Sequence, residues 1–147
     1  MPERWSTWAA LALVATSAAC SLPPYEPMPV AKVDSLPPDA FARCAACLRV
    51  RYQRLLEADE KGFRLQTDWA PGDDPTEAKE QRASVFVHAG EVACVVEVRY
   101  LGFGWFASLP SWSSPRPDPW LEEELAKTLE QALSATAAAK APAAAGG

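Results

Sequence analysis

The stretch RASVFVHAGEVACVVEVRYL, residues 82–101, decides the fold. Two runs of alternating residues flank a short turn, His88-Ala89-Gly90-Glu91. Successive side chains of a strand point to opposite faces, so a hairpin register assigns every residue to a face. If Val87 faces Val92, Val85 faces Cys94. Val85, Val87, Val92, Cys94, Val96, Val98 and Tyr100 then share an apolar face. Phe86, His88, Ala93, Val95, Glu97 and Arg99 share the other. One face must be buried, and the chain on either side has to supply the cover.

Upstream, Phe63 to Trp69 also alternates. Phe63, Leu65, Thr67 and Trp69 fall on one side, and Arg64, Gln66 and Asp68 on the other. The pattern predicts a half-buried antiparallel strand. Gln53 to Ala58 reads as its partner, turned at Asp59-Glu60-Lys61-Gly62. Ala70 to Gln81 is a polar loop between the hairpins. Before them, Asp39 to about Arg51 carries Phe41, Ala45, Leu48 and Tyr52 at helical spacing, with Asp39 or Ser35 as cap. After them, Gly102 to Pro117 is irregular and aromatic. Asp118-Pro119 opens a second helix whose stripe is Leu121, Leu125, Leu129 and Leu133. The expected fold class is α+β: helix, a four-stranded antiparallel meander of two hairpins, helix, with both helices on one sheet face.

The amino end has a different character. Arg4 gives a thin positive region, Trp8 to Ala15 is uncharged and apolar, and Ser17, Ala18 and Ala19 are small. That is the layout of a cleaved secretion signal over residues 1–19, too short to span a bilayer as a helix. Ser17-Ala18-Ala19-Cys20 resembles the lipobox of bacterial lipoproteins. The resemblance implies that Cys20 is diacylated and becomes the first mature residue, and two acyl chains hold a protein stably to a membrane. It departs from the family pattern at Ser17, where leucine is usual. Ser21 after the cysteine, in place of aspartate, implies the periplasmic face of the outer membrane. The other reading is an ordinary signal that leaves Cys20 free.

Residues 20–38 carry Pro23, Pro24, Pro27, Pro29, Pro37 and Pro38, which favours an extended, semi-rigid tether. At ~3.1 Å per residue such a tether would hold a domain several nanometres from the membrane. Residues 39–133 form the expected domain, and 134–147 an alanine-rich disordered tail. Over about residues 39–133 the chain also resembles, through unspecific motifs, the BamC-like (helix-grip) domains of envelope lipoproteins. The matching features are a helix, the Gly62-Phe63 turn into Leu65-Gln66-Thr67-Asp68-Trp69, and an arginine before a valine-rich hairpin. That resemblance implies a scaffold or assembly role and transfers no functional residue.

The 147 residues carry a formal charge of −5, which argues against a general nucleic-acid role. Arg43, Arg49, Arg51 and Arg54 cluster, as a solvated helix face would. Cys44-Ala45-Ala46-Cys47 has redox spacing but lies inside a helix with no preceding βαβ strand. Zinc from Cys44, Cys47, Cys94 and His88 fails on register, because Cys94 and His88 face opposite sides. A structural disulfide Cys44–Cys94, with Cys47–Cys94 as the alternative, is expected in an oxidising compartment. It would close a loop of about 50 residues and contribute roughly 2–4 kcal/mol. The competing reading is three small buried thiols. His88 reads as a solvated turn residue, and Glu122, Glu123 and Glu124 as a solvated helix end.

Phe103, Trp105, Phe106, Trp112 and Trp120 are the candidate contact residues. They form either a lid that buries Trp105 and Trp120 on the core or an exposed surface for a protein or membrane. No catalytic set, metal or cofactor is expected. The expectation is a non-enzymatic, lipid-anchored envelope protein that binds a partner. The alternative is a small-ligand or lipid-binding module with an apolar groove under the aromatic loop.

Overall fold

The computed structural model describes residues 25–103 and 109–135. The expected signal, Cys20, the tail beyond Ala135, and Trp105 with Phe106 therefore lie outside the described residues, as does the Phe103 side chain. The fold is α+β: an open antiparallel sheet and two helices, α1 (Ala40–Tyr52) and α2 (Pro119–Ser134).

The sheet has eight strands where four were expected. They are β1 (Met28–Lys32), β2 (Leu55–Asp59), β3 (Arg64–Thr67), β4 (Ala70–Pro71), β5 (Lys79–His88), β6 (Glu91–Phe103), β7 (Pro110–Trp112) and β8 (Arg116–Pro117). The order is β1-β6-β5-β3-β2, with β4 on β5 and both β7 and β8 on β6.

The central hairpin has the expected register: Val87 pairs with Val92 and Val85 with Cys94. Its turn is the two-residue loop Ala89-Gly90, both at positive φ, +50° and +80°. Such a turn matches strand twist but strains a residue with a Cβ, and asparagine tolerates it better than alanine. Ala89→Asn is therefore expected to stabilise the domain by roughly 0.5–1 kcal/mol, read from the urea midpoint.

Two expectations are corrected. The first concerns the tether. Met28–Lys32 is not free chain: it pairs with β6 as an edge strand, Met28 opposite Cys94 and Lys32 opposite Glu91. Proline lacks a backbone donor and is tolerated at edges and bulges. The β1–β6 register shifts between Pro29 and Ala31, and Met28, Val30 and Ala31 pack on the core. The folded unit thus begins near Met28.

The second concerns Trp69. A straight strand from Gln66 opposite Ser84 would set Ala70 opposite Glu80, but Ala70 pairs with Gln81. One residue slips after Thr67. Leu65 and Thr67 stay buried, while Trp69 crosses to the opposite face.

The core joins Cys44, Ala45, Leu48 and Tyr52 of α1 to Leu121, Leu125, Leu129 and Leu133 of α2 and to the valine face of β5 and β6. Val87, at the hairpin end, is 42% exposed, the exception on that face. Helix α1 packs against β2, β3 and β5, whereas α2 packs against β1 and β6. Asp118 caps α2 by accepting from the amides of Trp120 and Leu121, each at 3.2 Å. Asp39 stands at the α1 cap position, but its carboxylate pairs with Arg43 at 2.9 Å and caps no amide.

Arg43 also donates to the carbonyl of Ala132 at 3.1 Å and to that of Ala135, where α2 leaves acceptors unpaired. Arg51 pairs with Asp73 and Glu124, and Arg54 with Asp68. Much of the basic cluster is thus engaged in ties within the domain.

Candidate interaction surface

On the sheet face away from the valines, β5 and β6 set opposite charges across from each other. Arg82 faces Glu97, and Glu80 faces Arg99. Arg82 donates from Nε and Nη2 to Glu97 Oε2 at 2.9 and 2.7 Å. Arg99 likewise donates from Nε to Glu80 Oε2 at 2.8 Å, with Nη2 on the same oxygen. Each guanidinium also lies over an indole ring. Arg82 Cζ is 4.6 Å from the Trp69 ring centre, and Arg99 Cζ is 4.1 Å from Trp69 and 4.7 Å from Trp112.

The result is a ladder in which Arg99 bridges two tryptophans. Half-exposed ion pairs contribute about 0–1 kcal/mol each, and cation–π contacts about 0.5–1 kcal/mol at exposed sites. Its main effect is to hold long side chains in one geometry with their charges balanced. Tryptophan and arginine held in this way are the residue types that dominate protein interfaces. The hairpin register sets Arg82 opposite Glu97, but Glu80, expected in the polar loop 70–81, lies instead in β5, which begins at Lys79. Trp69 was concealed by the slip after Thr67.

The aromatic segment is not wholly irregular. Leu101 pairs with Trp112 and Phe103 with Pro110, so β6 and β7 extend past the main sheet as a two-stranded arm. Leu101 is 37% exposed, Leu109 74% and Trp112 39%. Trp120, which the lid reading would bury, is 68% exposed. The reason is helical phase: α2 buries Leu121, Leu125, Leu129 and Leu133, and Trp120 falls off that stripe. Among the candidates, the structure joins Trp112 to Trp69 through Arg99 and places Trp120 at the start of α2.

Glu122 also departs from expectation: it is 1% exposed, not solvated. Along the outer edge of β6, β1 pairs as far as Cys94, and β8 pairs with Glu97 and Val98. The Val96 amide falls between them and donates to Glu122 Oε1 at 3.1 Å. Sequence reading could not anticipate this, because the gap depends on β1 and β8. Burial raises the Glu122 pKa above its ordinary value, against lowering by hydrogen bonds from Tyr25 and the Val96 amide.

Cys44, Cys47 and Cys94 are free thiols. The expected Cys44–Cys94 bridge is not formed, although both thiols lie in the same core cluster. Cys94 Sγ donates to the Glu122 carbonyl at 3.6 Å, under α2. Burial pushes the Cys44 and Cys94 thiols up to about 12, the reverse of what a reactive thiol needs. Denatured, unreduced protein should therefore titrate thiols at Cys44, Cys47 and Cys94, with Cys44 and Cys94 silent to an aromatic disulfide reagent before unfolding. A single thiol would restore the bridge. His88 is exposed in the hairpin end, with its ring against Phe86, and Cys94 is in the core, so the zinc set is not assembled.

An open cavity of about 410 Å³ is lined by Trp69 together with Arg51, Tyr52, Arg54, Asp68 and Ala70. It lies at the rim of the sheet. Beneath the helices, Val85, Val92 and Val96 are each 0% exposed. Compared with known proteins, the chain matches no family model and no curated protein.

Proposed function

We propose that this chain is a non-enzymatic accessory lipoprotein of the cell envelope. In this reading it is exported, acylated at Cys20 and held at the periplasmic face of the outer membrane. Its folded domain binds a partner protein. Both helices cover the valine face of the central meander, and the opposite face is left for the partner. The observation that carries this reading is the Trp69–Arg99–Trp112 ladder with Arg82, Glu80 and Glu97. It is partly exposed and charge-balanced, and its arginines are already held by paired hydrogen bonds, so a partner would meet side chains with less entropy left to lose. A ligand groove under the helices has weaker support, since side chains fill that space.

Two measurements test the two halves. Metabolic labelling with a radioactive fatty acid should mark the wild type and not Cys20→Ala. Label that survives the substitution, or never appears, removes the anchor. Affinity capture from solubilised envelope, quantified against Arg99→Ala, tests the ladder. Equal recovery of every co-purifying protein with both baits would remove it.

A further inference from the structure

The strand directions fix which end of the domain the tether leaves from. β1 runs antiparallel to β6, with Lys32 at Glu91 and Met28 at Cys94. Tyr25 therefore lies further along β6, beside Glu97 and Glu122. The chain reaches the domain at the amino end of α2 and on the side toward which β6 runs out into its arm. That end carries the exposed apolar side chains Trp120, Leu109 and Leu101, at 68%, 74% and 37%. The other end carries the Ala89-Gly90 turn and His88.

Lengths agree with the directions. From Tyr25 back to Cys20 is five residues, which span at most roughly 18 Å when fully extended. From Glu97 to Phe103, β6 runs six residues, or roughly 20 Å at the rise of a strand. The arm therefore reaches about as far as the tether can. With β1 folded onto the sheet, the spacer is too short to lift the tip of the arm clear of the headgroups. Indole rings prefer the membrane–water interface, where an apolar body and a polar N–H are both satisfied.

We propose that this end of the domain rests on the bilayer holding the anchor, tilted from the β6 axis so that both the arm at Leu109 and the α2 start at Trp120 reach the headgroup region. The inference rests on Cys20 being the acylated residue. A formal charge of −5 favours apolar insertion into zwitterionic lipid over attraction to an anionic surface. It would also turn the Trp69–Arg99–Trp112 ladder sideways, where a partner can reach it.

The test uses the acylated protein reconstituted in phosphatidylcholine vesicles whose acyl chains are brominated near the headgroup. Bromine quenches indole at short range. Wild type should lose a larger fraction of its emission than Trp120→Phe, and Leu109→Asp should lose less than wild type. Equal fractional loss in wild type and Trp120→Phe overturns the docking and leaves Trp120 free for a protein contact. Flotation of the same samples separates the two readings. Protein that floats with Trp120 unquenched has an anchor but no docking, and protein that does not float has neither.

Discussion

Leu129→Ala should melt roughly 10 °C or more below the parent chain, from a loss of about 3 kcal/mol in a domain near 100 residues. Leu129 is 0% exposed at the centre of the α2 stripe and belongs to the same cluster as Leu48 and Val96. Truncation removes three heavy atoms and leaves a cavity that two helices and a sheet cannot all close around. The change at position 120 makes the contrast. Trp120→Ala takes away a larger side chain that is 68% exposed, and should shift the melting midpoint little. Thermal unfolding followed by circular dichroism reads both. Comparable losses from the two would mean that the helical phase of α2 is misassigned.

Glu122 gives the second large effect, and its sign depends on the replacement. Glu122→Ala leaves the Val96 amide buried without a partner, which costs about 1–3 kcal/mol. Glu122→Gln keeps an acceptor for that amide and removes a charge that burial disfavours, so it should be close to neutral at pH 7. The pH dependence separates them further. The Glu122 pKa is raised in the folded state above its ordinary 4.5, so folding binds a proton more tightly there. Its contribution to stability therefore grows as pH falls through the folded pKa, and levels off below 4.5. Urea unfolding at pH 7 and pH 5 should show wild type gaining on Glu122→Gln at the lower pH. A constant difference would mean that the carboxyl is not shifted.

Much of this architecture is legible in the chain, for physical reasons that can be named. The β5–β6 register is visible because one residue of slip would turn Glu97 and Arg99 into the core. Helix α2 is visible because Asp118-Pro119 caps it and four leucines recur on one face. The rest depends on contacts remote in sequence. Proline density between Pro23 and Pro38 describes unpaired chain well, yet Met28–Lys32 still gains from packing an edge strand onto β6. Trp69 changes face through a slip that alternation cannot signal. Glu122 looks like one of three solvated carboxylates until the gap at Val96 is known. As for the candidate residues, Trp112 and Trp120 are exposed, but Arg99, which lies over Trp112, reads in the sequence only as part of an outer strand face.

The β1–β6 pairing also has a mechanical consequence. A chain held at its amino end transmits any pull to Tyr25 and then along β1. Because β1 lies lengthwise on β6, that pull runs parallel to the strands, and the hydrogen bonds between them are loaded together in shear. Peeling would break them one at a time at much lower force. A domain gripped on its ladder face and pulled at its amino end would thus resist through the strand that first looked like slack.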